Sequence, residues 1–445
     1  MDARQEKLST LYRAHVTVLK LRFDRALAAA KFDHVVIFAG AQHYQFLDDM
    51  AYPFKVNPHF KWWVPVVDNP HCFIVYTPGE KPKLVYYQPV DYWHKPADPP
   101  SGWWVDPFDI QVIAHPEEAQ AFIPKGNTAF IGEWDETFSK WGTLGSNPLP
   151  LLNQIHYDRA WKTEYEIECM RAANEAGARG HRAAEQSFRA GESEYEIHLA
   201  YLRATSHTED ELPYGNIIAL NDNSAVLHYY QHGRHRLAND HRHSFLIDAG
   251  ASYNGYASDI TRTYSAQDDE FATLIEAMNA MQLELCAMVR PKLDYPEMHL
   301  TAHRKVAKIL SDFNFVSLAA DAIVEKRISS AFFPHGVGHF IGLQVHDVGG
   351  FMADPTGNTI DKPDGHPYLR LTRHVEATMV FTVEPGLYFI DPLLAELKKG
   401  DDAKHVNWEK VDSFRKFGGI RIEDDIVVTE SGHENLTREA FAAIA

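Results

Sequence analysis

Residues 244–264 read SFLIDAGASYNGYASDITRTY, and the Asn254-Gly255 pair midway constrains the fold more tightly than any other stretch of the chain. Asn-Gly favours a two-residue hairpin turn, because both central positions need positive φ. A turn placed there sets residue 248 opposite 261 and residue 250 opposite 259. Asp248 and Asp259 then lie diagonally on adjacent strands, and the period-two alternation of a strand turns both to one face. Two carboxylates that close repel unless a positive charge sits between them or one keeps its proton. The plain alternative is a pair of solvated surface acids, since aspartate is mostly exposed. The apolar run "FLI" ahead of Asp248 argues instead for a strand with one buried face.

Two further acids share that setting. "ATMVFTVEPGLYF" is a strongly apolar strand ending in Glu384, just before a Pro-Gly turn. "GGIRIEDDIVV" alternates, so Ile420 and Ile422 point one way while Arg421 and Glu423 point the other. For Glu423 alone, a salt bridge to arginine is as good an account as a site role. The stretch "HGVGHFIGLQVHD" (335–347) adds His335, His339 and His346, with glycines at 336, 338 and 342 that disfavour a helix. Strand-borne carboxylates with nearby imidazoles suit a metal centre of mostly oxygen ligands and one nitrogen. Two divalent ions about 3.5–4 Å apart fit such a set, and hydrolysis of a polarised bond is the chemistry they support. Oxygen-rich ligation favours manganese, cobalt or similar ions over a closed structural zinc site.

Around these motifs the chain divides. An amphipathic helix over 3–31, the strand "HVVIFAG" and a hairpin "HCFIVYTPGEKPKLVYYQP" predict a small α/β unit. A Gly/Asn/Pro cluster at 145–152 breaks the pattern, so the boundary is expected near 155, giving domains 1–155 and 156–445. Beyond it, helices at 163–189, 193–206, 269–289 and 297–312 mix with strands at 215–220, 244–250, 257–264, 378–384 and 418–429. That order predicts an α+β domain with a largely antiparallel sheet. A net charge of −18 argues against a nucleic-acid partner. Cys72, Cys169 and Cys286 form no CxxC pair or disulfide framework, which fits a reducing cytoplasm. The N-terminus lacks a signal-peptide core, and no run of about 18 apolar residues predicts a membrane span.

In order and context, the segments "LIDAG", "SDITRT", "HGVGH", "VEPGLYF" and "GIRIEDD" resemble the ligand motifs of the pita-bread metallopeptidases, the fold shared by methionine aminopeptidase, aminopeptidase P and prolidase. The likeness looks closest to the bacterial Xaa-Pro dipeptidases (prolidases), including those also known as organophosphorus acid anhydrolases; "QFLDDMAYPFKVNPHFKWW" and "KHVNWEKV" look typical of that subgroup. The resemblance implies a pita-bread catalytic domain behind a smaller N-terminal α/β domain, and two divalent ions, manganese first, with cobalt or zinc as alternatives. Asp248 would bind one ion, His339 and Glu384 the other, with Asp259 and Glu423 bridging. Glu384 would also carry the proton of the attacking water, His346 would stabilise the tetrahedral intermediate, and Arg421 would orient a ligand carboxylate. His335 and His228 would line the pocket, with a buried structural histidine as the lesser alternative for His228. Arg370 would pair with the dipeptide's free carboxylate. Tyr214, Tyr295 and Leu369 match pocket-wall positions, and Asp49 matches a residue near the substrate's amino end. The family further implies a homodimer, for which Trp62 and Trp63 are read as an exposed pair at the contact or else as core. The expected activity is Xaa-Pro dipeptide hydrolysis, with phosphotriester hydrolysis as a side activity. The rivals are an aminopeptidase P acting on longer peptides and a non-catalytic peptide-binding module.

Overall fold

The computed structural model describes residues 3–142 and 145–444, which form two compact units. The first holds residues up to Cys169 together with Asn254–Tyr256 and Met352–Thr359, and the second holds the rest.

The first unit is a six-stranded mixed sheet. Its strands are β1 (His34–Phe38), β2 (Phe73–Tyr76), β3 (Lys83–Tyr87), β4 (Asp109–Ile113), β5 (Thr128–Ile131) and β6 (Gly145–Ser146), in the order β4-β3-β2-β1-β5-β6. The β2–β3 hairpin pairs Phe73 with Val85, and Gly79 at φ 82° makes its turn. Val36, Phe38, Phe73, Val85 and Phe130 fill one face of this sheet as a closed apolar cluster. Trp62 and Trp63 also belong to the core: each is 0% exposed, which favours the core alternative over an exposed pair at a dimer contact. Trp62 donates its indole N–H to Glu166 at 3.1 Å, and Trp63 packs against Phe23 and Tyr76. Exposed apolar residues of this unit lie elsewhere and include Phe46, Leu47, Tyr92 and Trp93.

The second unit is built on short antiparallel sheets. β7 (Ile217–Leu220), β8 (Ser244–Asp248), the two-residue strands β9 (Ser252–Tyr253) and β10 (Tyr256–Ala257), and β11 (Thr261–Ser265) follow in sequence. Asn254 and Gly255 have φ of 49° and 85°, as a primed turn requires. Asp248 pairs with Thr261, the register the turn predicts. Downstream, β12 (Val380–Val383), β13 (Gly386–Tyr388), β14 (Gly419–Arg421), β15 (Asp424–Val428) and β16 (His433–Asn435) form a three-stranded sheet β12-β15-β16 and a pair β13-β14. The stretch expected as one strand over 418–429 is broken at Ile422 and Glu423, where the chain leaves β13 as its partner and takes up β12. A bridge between Thr261 and Glu423 joins the two halves of the unit at that break. The helix Glu270–Ala287 packs on both β11 and β12, and Glu194–Thr205 packs on β7. Side chains of Phe188, Ile197, Tyr201, Ile218, Phe245 and Ile247 form the apolar layer beneath β7 and β8.

Candidate metal centre

Strand ends deliver the acids. Asp248 closes β8, Asp259 precedes β11, Glu384 follows β12, and Glu423 sits in the break between β14 and β15. The Tyr214 hydroxyl lies between the two aspartates, 2.8 Å from Asp248 Oδ1 and 2.5 Å from Asp259 Oδ1, so both carboxylates do share a face. Gly250 makes room for that ring, since a Cβ there would stand 2.8 Å from it and 2.0 Å from the Ser258 carbonyl.

His339 Nε2 stands 3.5 Å from Asp259 Oδ2 and 3.5 Å from Glu384 Oε1. Asp259, His339 and Glu423 each offer a ligand atom within 4.8 Å of the others. These separations exceed the 2.7–2.9 Å or so of a charge-assisted hydrogen bond. They suit the edges of a coordination polyhedron with bonds of about 2.0–2.2 Å. The His339 ring is fixed through Nδ1, 2.9 Å from the Phe340 carbonyl, leaving Nε2 toward the acids. Gly338 lets this loop lie on β12: a Cβ there would be 2.0 Å from the Thr382 carbonyl and 2.3 Å from the Tyr295 hydroxyl.

A ring of polar groups holds the ligands. Arg421 donates to Asp248 at 2.6 Å, to the Tyr388 hydroxyl at 2.7 Å and to Thr261 Oγ1 at 3.2 Å. Thr261 in turn donates to Glu423 at 2.6 Å. Arg262 grips the Glu423 carbonyl at 2.8 Å and Asp424 at 2.7 Å, and Asp425 accepts the Asp259 backbone N–H at 3.1 Å. Sequence reasoning found Arg421 but missed Tyr388, Thr261, Arg262 and Asp425, which lie inside the same short motifs but whose supporting contacts join strands distant in sequence.

Charge follows from this packing. Burial pushes the Glu384 carboxyl up to about 7, with His339 opposing and Asp259 adding to the rise. Burial and the neighbouring carboxylates Asp259, Glu384 and Asp248 hold Glu423 well above the usual range, and burial raises Asp248 against the pull of Arg421. Asp259 is lowered in spite of burial, by its contact with His339. Burial alone would lower His339, but Asp259 and Glu384 overcome it and raise the ring to about 9. Four buried carboxylates set against one guanidinium and one imidazole repel one another, and a donor set of this chemistry fits divalent cations.

The remaining expected residues divide. His335 is held by Tyr388, its Nε2 2.8 Å from the hydroxyl, and lies 3.7 Å from Glu384. Burial, with Arg421 next, lowers its ring to about 3. His346 stands edge-on to His339 with ring centroids 4.3 Å apart, and its lowered pKa reflects burial first, then the charges of His339 and Arg370. Arg370 is therefore near enough to act on His346, and its side chain is exposed. The charge of His228 is felt at both His335 and His346, and His228 is exposed, which sets aside its reading as a buried structural histidine. Tyr214 belongs to the carboxylate cage more than to a pocket wall. Tyr295 and Leu369, expected at pocket-wall positions, are each 0% exposed. Tyr295 lies under β12 and donates to the Thr382 carbonyl at 2.9 Å. Asp49 is exposed on the first unit, between the bridged residues Tyr44 and Ala51.

The fold and this cage define a metallopeptidase architecture, and comparison with known proteins agrees. Residues 168–430 match the family described as Metallopeptidase family M24, and residues 10–157 match the Xaa-Pro dipeptidase N-terminal domain. The Xaa-Pro dipeptidase of Pseudoalteromonas translucida (strain TAC 125) is 51% identical over 436 residues, covering 97% of this chain and 99% of the relative. That of Stenotrophomonas maltophilia (strain K279a) is 51% identical over 442 residues, covering 99% of each. The structure of aminopeptidase P from Escherichia coli with the inhibitor Pro-Leu superposes with a TM-score of 0.70 at 24% identity, covering 95% of this chain and 97% of that one, a likeness of fold. The chain belongs to metallopeptidase family M24, with the N-terminal domain of the Xaa-Pro dipeptidases.

Proposed function

We propose that the protein hydrolyses dipeptides with C-terminal proline, as a two-metal Xaa-Pro dipeptidase whose residues 1–155 precede a catalytic domain of residues 156–445. The observation that carries this is the meeting of Asp248, Asp259, His339, Glu384 and Glu423 in one buried cage, in a chain half identical to named Xaa-Pro dipeptidases along nearly its whole length. Asp248 would hold one divalent ion, His339 and Glu384 the other, and Asp259 and Glu423 both; manganese suits the oxygen-rich set best, with cobalt or zinc as alternatives. Bound there, such ions would acidify a water and polarise the scissile carbonyl.

The chain's own groups do the rest. Glu384, just past the end of β12 and 3.5 Å from His339, takes the proton of the attacking water and returns it to the proline nitrogen. His346 faces the developing oxyanion, and His335 and His228 line the pocket beside it. Arg421 keeps Asp248 aligned through its short contact. Arg370 receives the dipeptide's carboxylate, which makes it the residue that limits substrates to two amino acids. Asp49 would stand near the substrate's amino end. Phosphotriester hydrolysis fits as a side activity of the same centre.

The buried, free cysteines support a cytoplasmic setting, and no helix among the described residues is long and apolar enough to cross a membrane. The exposed residues Phe46, Leu47, Tyr92 and Trp93 support association into a homodimer. The test compares Ala-Pro with Ala-Pro amide and with Ala-Pro extended at its C-terminus. Loss of one charge-assisted contact, by capping or by Arg370→Ala, should lower kcat/KM about tenfold to a hundredfold. Equal turnover of free and capped peptides would favour an aminopeptidase P instead.

A further inference from the structure

Three histidines meet at a second point of the catalytic unit. His299 and His303 stand one turn apart on the helix Tyr295–Asp312, on the same face. His366 reaches them from a turn in which its carbonyl accepts the Leu369 N–H at 3.3 Å. His299 Nε2 lies 2.9 Å from His366 Nδ1. The three ring pairs have centroids 4.6, 4.7 and 4.8 Å apart, and one nitrogen of each ring lies within 4.8 Å of the other two. His303 Nδ1 is engaged by Ser329 Oγ at 3.1 Å, which leaves Nε2 for the cluster. His299 and His303 are 1% and 2% exposed, while His366 is half-buried and offers an approach from solvent.

A hydrogen bond between neutral rings accounts for His299 and His366 but gives His303 nothing. Burial keeps the rings unprotonated: His299 falls to about 2 and His303 to about 3, each helped by its neighbouring imidazoles, and His366 is lowered by burial and by Arg327. The neutral imidazole is the form that ligates metals. Tetrahedral ligation at about 2.0–2.1 Å sets ligand nitrogens roughly 3.4 Å apart, so the close pair need only open slightly.

We propose that His299, His303 and His366 form a cation site separate from the carboxylate cage, for zinc or another late first-row dication. An all-nitrogen set discriminates against manganese, magnesium and calcium, which want oxygen. The site clamps the turn that leads into Leu369 and Arg370 onto the helix Tyr295–Asp312, and so steadies the proposed carboxylate-binding arginine. Only that last consequence rests on the proposed function; the metal site does not.

The test is zinc stoichiometry of the full chain by elemental analysis after dialysis, for wild type and His366→Ala, each also in an Asp259→Asn background to weaken the cage. His366→Ala should remove one zinc equivalent in both backgrounds, and a crystal of the zinc-loaded wild type should show an anomalous peak at the zinc edge among the three imidazoles. His303→Gln, which keeps a polar side chain facing Ser329, should lose the same equivalent. Equal zinc content in wild type and His366→Ala, or anomalous peaks confined to the cage, would overturn the proposal.

Discussion

Arg421 is a permanent cation set among carboxylates, and its 2.6 Å contact keeps Asp248 in place. Glu384 and His339 answer the same crowding by holding protons more tightly than they would in an unfolded chain. Glu384 rises from 4.5 to about 7, and His339 from 6.5 to about 9. Stability linked to such groups is complete below their unfolded values and is lost as pH rises through their folded ones. Below about pH 6.5 the buried histidines lowered to about 3 oppose this trend, so the metal-stripped protein should show a falling Tm as pH is raised from about 7 to about 9, and added manganese should restore most at the upper end. A Tm that is flat or climbs over that interval, measured with chelator present, would contradict the charge balance described for the cage. At this scale the acids and His339 were legible because each sits in a short, distinctive motif; Tyr388 and Thr261 lie in those same stretches, but their residue types alone do not announce the contacts they make. His299 and His303, two histidines four apart in a helix, do carry a signal in the sequence.

Among the elements, strands place the acids and one loop places the imidazole. The Asn254-Gly255 turn made the β8–β11 register legible, because only one register agrees with a two-residue turn of positive φ. The break at Ile422 and Glu423 was not legible: the alternation of "GIRIEDD" runs through it, and the change of partner depends on β12 and β13, which are distant in sequence. Gly338 marks where the loop of His339 must touch β12. Gly338→Ala forces a Cβ against the Thr382 carbonyl, and should cost about 1–3 kcal/mol of stability, in the range of overpacked interiors. Calorimetry would check the loss, and metal titration should show weakened binding in the same variant. Unchanged stability would mean that the loop need not lie where it does.

On the scale of the whole molecule, sequence left Trp62 and Trp63 open between an exposed contact and the core, because composition cannot tell a core pair from an exposed one. Both are buried, and Trp62 also caps the buried Glu166. Trp62→Ala should cost about 3–5 kcal/mol in denaturant unfolding without changing oligomeric state. Trp93→Ser, at a residue 78% exposed, should instead loosen association in sedimentation and leave unfolding nearly unchanged. The reverse pattern would put the tryptophan pair at the interface after all.

The most direct test of the account counts manganese per chain and Ala-Pro hydrolysis together, in wild type and in Asp259→Asn. The account predicts two manganese ions and turnover in the wild type, and loss of both in the variant with circular dichroism unchanged. A variant that keeps its metal and its full activity would contradict it.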